Sequence, residues 1–360
     1  MSRQNWRNFD WLLLLLIIML SIFGVVMINS AVQGDPELVD FPKRQAFYVV
    51  VGLALMFATA SLDYHLLRTL TIPFYVVVLV LLTMVGTLGK SIFGAQSWID
   101  FFGLFPIQPS ELAKVALALA LGSYLAANKE RIGDFQVVAT GVLISIPIFV
   151  LVALQPDLGT AIVLAVETVA IFFVAGLPFR YLLGGVIIAI LSAPLAWSML
   201  EDHQRTRLLI FVDPTANPDA YFNVKQALVG VGSGGLLGKG YGQGTQSQLH
   251  FLRVRHTDFI FSVIAEELGF VGASILLILL FLVIWRLWRI AGQAGDAFGR
   301  LLVTGLTAII LFQTLVVVGM NMGLVPVTGL PLPFVSYGGN AMLSLMLFIG
   351  LAQSVAMRRS

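Results

Sequence analysis

Residues 11–28 read "WLLLLLIIMLSIFGVVMI" and carry no charged side chain and no proline. Wound as a helix, such a run is ~27 Å long, close to the ~30 Å hydrocarbon core of a bilayer. It is longer than a signal-peptide core and no small-residue cleavage site follows it, so it reads as a retained membrane helix. The rest of the chain repeats the pattern. Of 360 residues, 58% are hydrophobic and only 11% charged, with a mean hydropathy of +0.94. A soluble domain needs roughly a quarter charged residues to cover its surface. Hydropathy places about ten spans, roughly at 10–30, 44–61, 70–89, 109–127, 134–154, 159–176, 181–199, 259–285, 301–321 and 336–357. The expected fold is an all-α integral membrane protein, one polytopic domain over 1–360. A long structured extracytoplasmic loop, about 200–258, joins spans seven and eight.

Charge orients the bundle. With a cytoplasmic N-terminus, the inside segments hold Arg3, Arg7, Arg68, Lys129, Arg131, Arg180, Arg286, Arg289, Arg300, Arg358 and Arg359, while the short outside loops hold only Lys43, Arg44 and Lys90. Both termini are therefore expected on the cytoplasmic side. A net charge of +2 without a basic soluble face argues against a nucleic-acid partner. The absence of cysteine excludes disulfides, thiolate chemistry and Cys-ligated metals. No Walker loop, HExxH or G-x-S-x-G occurs, and the four histidines share no metal-ligand spacing; His256 and Asp258, two apart, are the one pair that could share an ion. No internal repeat supports an inverted-repeat transporter.

The long loop divides in two. "EDHQRTR" and "DPTANPDAYFN" are polar, whereas "VGVGSGGLLGKGYGQGTQSQ" is rich in glycine and carries Lys239 as its one charge. Glycine at that density permits close backbone approach. The spacing of "DAYFNVKQALVGVGSGGLLG" predicts a helix lying along the membrane surface, the alternative being a flexible hydrophilic loop.

Four polar groups interrupt the apolar pattern near the outer face. In "SWIDFFGLFPIQPSELAK", residues 97–114, Pro109 opens a helix, Ser110 is a candidate cap, and Glu111 and Lys114 stand on one helical face within ion-pair reach. That pair either lines a site or merely neutralises itself in lipid, and Trp98 is open to reading as an interfacial belt residue. "QPDLGT", 155–160, is a tight break in which Asp157 can cap the next helix. "NMGLVPVTGLPLPFVSYGGNA", 321–341, must have irregular backbone, tolerated at membrane depth only inside protein or beside a wet cavity. The fourth is "RHTDFIFSVIAEELG", 255–269. Here Thr257 or Asp258 could cap span eight, with Arg253, Arg255 and His256 beside them. Continued as one helix, the segment carries Glu267 ~13 Å below Asp258, inside the bilayer and facing the bundle. An outer-face carboxylate among cations can act as a general base on a hydroxyl, with the cations taking up phosphate charge.

"KGYGQGTQSQLHFLRVRHTDFIFSVIAEELG", "QPSELAK", "QPDLGT" and "PVTGLPLPFVSYGG" together resemble the signature segments of the SEDS proteins (shape, elongation, division and sporulation), in order and over essentially the whole chain. The wording of "QPDLGT" and "PVTGLPLP" is most similar to the elongation branch. The resemblance implies a peptidoglycan glycosyltransferase that polymerises lipid II into glycan at the outer face of the bacterial cytoplasmic membrane. It also implies a class B penicillin-binding protein and other elongation-complex membrane proteins as partners. The family's essential acid falls on Asp258. The matching polar positions are Trp98, Gln108, Ser110, Glu111, Lys114, Gln155, Asp157, Lys239, Thr257, Ser336 and Tyr337, carried over as groove or structural residues, with His256 beside them. Lys114, Arg205 and Arg207 are the cations expected to screen a pyrophosphate leaving group. Family behaviour adds a divalent cation, magnesium or manganese, to that task. Two positions depart from the family's pattern, Val254 before "RHTDF" and Asn340 after "SYGG", which puts acceptor-side contacts in doubt but leaves Asp258 untouched. Two rival readings remain, a lipid II flippase, for which Glu266 and Glu267 are the deepest residues, and a scaffold for the penicillin-binding partner.

Overall fold

The computed structural model describes residues 6–88, 90–92, 95–101, 105–249 and 251–359. Among them, ten helices are long and apolar enough to cross a membrane. They are α1 (Trp11–Ala31), α2 (Phe41–Ser61), α3 (Tyr64–Leu88), α4 (Pro109–Ala127), α5 (Phe135–Ala153), α6 (Leu158–Ala175), α7 (Phe179–Met199), α11 (Ile260–Gly292), α12 (Ala297–Asn321) and α13 (Gly339–Met357). Three shorter helices, α8 (Asp202–Val212), α9 (Pro218–Ser233) and α10 (Thr245–Gln248), occupy the long connection between α7 and α11. The chain is a multi-pass helical membrane protein, as the hydropathy predicts, and the helix expected in "DAYFNVKQALVGVGSGGLLG" is α9, which stops at Ser233, short of the last five residues of that stretch. One element escapes the all-α expectation. Between α3 and α4 runs a small antiparallel sheet of β1 (Lys90–Ile92), β2 (Ala95–Phe101) and β3 (Phe105–Ile107), with Ile99 opposite Ile107.

α4 and α12 form the centre. α4 packs on α3, α5, α6 and α12, and α12 packs on α4, α6, α11 and α13. Both bury most of their length, whereas α7 has no buried residue at all and stands at the periphery. A helix apolar on every side is stable there only because its surroundings are lipid.

α11 does not continue as one helix. Gly269 breaks it with φ 66 and ψ −166, leaving a short piece, 260–268, ahead of a membrane-crossing piece, 270–292. The packing of α11 on α1 fixes the level of each. At one end the Asp10 carboxylate accepts from Arg286 at 2.6 and 2.9 Å. At the other, Ser30 Oγ, one residue from the end of α1, donates to the Glu267 carboxylate at 2.6 and 2.7 Å. Both separations, Asp10 to Ser30 and Glu267 to Arg286, are ~30 Å of helix. Glu267 therefore stands at the rim of the bundle and not ~13 Å inside it; the extrapolation fails because it runs a straight helix from Asp258. Asp258 is tied to the same rim by Asn321, the last residue of α12. Residues 258–268 thus lie across the bundle end.

The glycine-rich segment covers the break backbone to backbone. Lys239 and Gly240 N–H donate to the carbonyls of Glu266 and Glu267, and Phe270 and Val271 N–H donate to those of Gly235 and Leu236. A Cβ on Gly234 would lie 1.9 Å from the Ala265 carbonyl oxygen, and one on Gly238, at φ +80, would lie 2.1 Å from that of Glu267. Only glycine fits at either position. The two acids then close the joint. Glu266 accepts from Lys239 Nζ (2.7 Å), Thr245 Oγ1 (2.9 Å) and Gln246 N–H (3.2 Å); Glu267 accepts from Gly242 N–H (3.1 Å) besides Ser30. Both are fully buried. Their job is to satisfy a loop that could not otherwise sit there, which removes them from any path across the bilayer.

Candidate active site

Four segments meet at the rim around Asp258. The 321–341 stretch turns back into the bundle, and Leu330, Leu332, Phe334, Val335 and Ser336 are all buried. A Cβ on Gly24 of α1 would lie 2.8 Å from Val335 Cα, so the stretch reaches about one and a half turns below Ser30, ~9 Å. Irregular backbone at that depth needs internal partners, and it has them. Ser336 Oγ donates to the Thr257 carbonyl (2.7 Å) and accepts from Leu332 N–H (2.9 Å); Tyr337 N–H donates to the His256 carbonyl (2.9 Å). Gln45 of α2 clamps the far side, donating to the Ser336 carbonyl (3.2 Å) and accepting from Gly338 N–H (3.1 Å).

These bonds stitch the 256–258 backbone to the re-entrant stretch, and Asn321 completes the hold. Its Nδ2 donates to the Asp258 carbonyl (2.8 Å), and its Oδ1 accepts from Ser262 N–H (3.0 Å) and Ser262 Oγ (2.7 Å). Ser262 N–H is one of the orphan donors in the first turn of α11. Neither Thr257 nor Asp258 caps that helix, contrary to the local reading; the cap comes from another helix. The Asp258 carboxylate is thereby spared from capping the helix. It faces the Arg207 guanidinium of α8 across Gly329, whose Cβ would lie 3.9 Å from Asp258 Oδ2 and 3.4 Å from Arg207 Nη1. At φ +74, Gly329 is a position where a side chain would both strain the turn and fill the gap. Burial pushes the Asp258 carboxyl up to about 6, against the pull of Arg207 and a hydrogen bond from Thr257.

The "QPDLGT" turn forms the adjoining wall. Gln204 of α8 donates to the Pro156 carbonyl at 2.9 Å, and the place of a Cβ on Gly159 lies 2.7 Å from the Thr328 carbonyl oxygen. Asp157 caps α6 through Thr160 N–H (3.0 Å), as expected, and burial raises its carboxyl above the ordinary range, with Glu111 and Lys114 acting on it in opposite senses. Gln155 donates to the Leu82 carbonyl of α3 (2.9 Å). At the start of α4, Gln108 is the N-cap and Pro109 the first residue; Ser110 is buried in the helix and is not the cap. Lys114 Nζ pairs with Glu111 at 2.8 Å, and Ser344 Oγ of α13 donates to the same carboxylate. Trp98 sits on β2 opposite Lys90, ahead of this helix.

Several expected cations go elsewhere. Lys114 is 1% exposed and bound to Glu111, and Lys239 is bound to Glu266. Arg205 donates to the Ser198 carbonyl at the end of α7 (2.9 Å). Arg255 donates to the Ala31 carbonyl and pairs with Asp35 (3.0 Å). His256 is enclosed by Phe41 and Tyr337, whose rings stack at 4.2 Å; burial first, then Arg255, hold its imidazole down at about 4, so it is neutral. Arg207 is left as the cation beside Asp258. Among the described residues no three His, Asp or Glu side chains converge on a metal position. Asp258 offers one carboxylate next to a guanidinium, so a divalent cation there would take its remaining ligands from the pyrophosphate oxygens. Sequence reasoning passed over Asn321, Gln45 and Glu167, a fully buried acid of α6 against Gly305 of α12. Asn321 lies inside the 321–341 stretch and Glu167 is an acid in an apolar run, whereas Gln45 follows Lys43 and Arg44 and carries no signal of its own.

The FtsW/RodA/SpoVE family model, described as cell cycle protein, matches residues 10–360. Peptidoglycan glycosyltransferase MrdB of Escherichia coli K12 is 38% identical over 357 residues, covering 98% of this chain and 94% of MrdB. A chain of a solved peptidoglycan synthase complex, described as coordinating polymerization and crosslinking, superposes with a TM-score of 0.84 at 34% identity, covering 98% of each chain. The crystal structure of the rod shape determining protein RodA of Thermus thermophilus superposes with a TM-score of 0.73 at 34% identity and covers 99% of each.

Proposed function

We propose, for a chain that belongs to the FtsW/RodA/SpoVE family of cell cycle proteins and is a peptidoglycan glycosyltransferase, that Asp258 is its general base and lipid II its substrate. The Asp258 carboxylate takes the proton from the 4-hydroxyl of the incoming GlcNAc as that oxygen attacks the anomeric carbon of the MurNAc ending the growing glycan. The bond to undecaprenyl pyrophosphate breaks, its electron pair leaving with the pyrophosphate, and inversion gives a β-1,4 link. Arg207 takes up the charge that develops on the leaving group. The observation that carries this reading is the arrangement around Gly329: a raised carboxyl, held by its own backbone, facing the Arg207 guanidinium over a gap that a side chain at Gly329 would fill.

The chain works at the outer face of the bacterial cytoplasmic membrane, with both termini inside, on the strength of its Lys and Arg distribution. Its similarity to a chain of a peptidoglycan synthase complex supports a class B penicillin-binding protein as partner, and its likeness to MrdB and RodA supports a role in elongation. Polyprenyl tails account for a site built on a bundle of membrane-crossing helices.

Purified protein, with a penicillin-binding partner, is expected to convert fluorescent lipid II into glycan ladders. Since the base must be ionised, the rate should rise with pH through about 6 and level off above 7, with about a tenth of the plateau left at pH 5. A profile flat from pH 5 to 8, or lipid scrambling without ladders, would overturn the assignment.

Asn321 is expected to act through Asp258 as a positioning residue. Asn321→Ala leaves a buried carbonyl and N–H unsatisfied, which costs ~1–3 kcal/mol for each group. Turnover should fall roughly tenfold or more through misplacement of the base. The midpoint of the pH profile should move as well, a change that loss of fold alone does not produce.

A further inference from the structure

The opposite end of the bundle holds a second polar site that chemistry at the rim does not use. A cavity of about 560 Å³ is bounded by Asn8 and Asp10 before α1, by Arg286, Arg289 and Gln293 at the end of α11, and by Arg359. Three guanidinium groups meet one carboxylate there. Asp10 is spent on Arg286 and on capping α1 through Leu13 N–H. Arg289 lies over the Trp285 ring at 5.2 Å, and Arg359 donates to Gln293 Oε1; among the described residues neither has a carboxylate partner. Among the described residues, the cavity thus holds two guanidinium groups with no carboxylate paired to them. Its surroundings say what kind of anion it meets. Trp11, Trp285 and Trp288, chain neighbours of the lining residues Asp10, Arg286 and Arg289, are 58%, 41% and 58% exposed, and Phe281, one turn further along α11, is 64% exposed. Tryptophan at that density marks the headgroup level of a membrane, with acyl chains beside the phenylalanine.

We propose that this cavity binds the headgroup of an anionic phospholipid. Arg289 and Arg359 take the phosphodiester, for which the planar guanidinium fork is the better match than a lysine ammonium. Asn8 and Gln293 meet the headgroup hydroxyls, and the acyl chains run along Trp285 and Phe281. A basic pocket between helix ends at the membrane surface is the arrangement that selects charged over zwitterionic lipid. The proposal does not depend on the polymerase reading.

The test follows the thermal midpoint of delipidated protein in detergent as phosphatidylglycerol, phosphatidylcholine or soluble glycerol phosphate is added. Phosphatidylglycerol is expected to raise the midpoint, and the other two to leave it unchanged at equal concentration. In Arg289→Gln/Arg359→Gln the midpoint without lipid should match the parent, and the same shift should need roughly 30-fold more phosphatidylglycerol. An equal response to the two lipids, a full response to glycerol phosphate, or an unchanged response in the variant overturns the proposal. Should the variant fail to fold, native mass spectrometry of the parent decides. Phosphatidylglycerol adducts that survive energies stripping phosphatidylcholine support the site, and equal stripping overturns it.

Discussion

Asp258→Asn is expected to lower polymerisation by a factor of about 10²–10⁴, the range a positioned general base contributes, while the protein stays at least as stable as its parent. Asparagine keeps the shape, the bond from Asn321 to the residue 258 carbonyl and the one from Ser336 to the neighbouring Thr257 carbonyl, but cannot accept the hydroxyl proton. The stability half follows from the raised carboxyl. A group held at about 6 in the fold and at 3.8 outside it makes the native state lose stability as pH rises through that window. Above the window the loss reaches at most roughly 3 kcal/mol, reduced by solvent screening because Asp258 is only partly buried. The asparagine variant escapes that loss. Its thermal midpoint should therefore equal or exceed the parent's at pH 7.5, and the two should converge near pH 4. Ladders at the parental rate would sink the assignment, as would inactivity explained by unfolding.

Glu111→Ala should be the most destabilising of the site variants. Lys114 and Glu111 side chains are 2% and 7% exposed, so removing the carboxylate strands a buried ammonium and the Ser344 hydroxyl together. Breaking such a pair costs about 3–5 kcal/mol. Replacing both partners by apolar residues of similar size is often neutral, so Glu111→Leu/Lys114→Met should recover the thermal midpoint. Activity should return with it, because Lys114 is buried and bound to Glu111, and the pair's contact with Ser344 holds α4 against α13. A double variant as stable as the parent yet inactive would show instead that Lys114 touches substrate.

The ten spans could be read from sequence because hydropathy over a window is itself the physical quantity that places a helix in lipid. The Asp157 cap and the Glu111–Lys114 pair were readable because both are local, three residues apart. What failed was whatever depends on direction. Arg255 and His256 adjoin Asp258 in sequence, yet successive residues of a turn point different ways, one to Asp35 and the other edge-on against the stacked Phe41 and Tyr337 rings. Glu267 was misplaced because helical periodicity runs smoothly through "ELGF" and cannot announce a φ of 66 at Gly269. Asn321 and Gln45 act across 63 and 291 positions. No local pattern carries that information.

The Ser30–Glu267 contact joins residues 237 positions apart in the chain. At ~5–20 residues per second of synthesis, the end of α1 waits on the order of 10–50 s for its acid to be made. Until then the glycine-rich cover has nothing to close upon, although most of the membrane helices are already inserted. Assembly of this rim is thus a late and non-local event in the protein's biogenesis. A nascent chain arrested before Glu267 would have most of its helices and no active site.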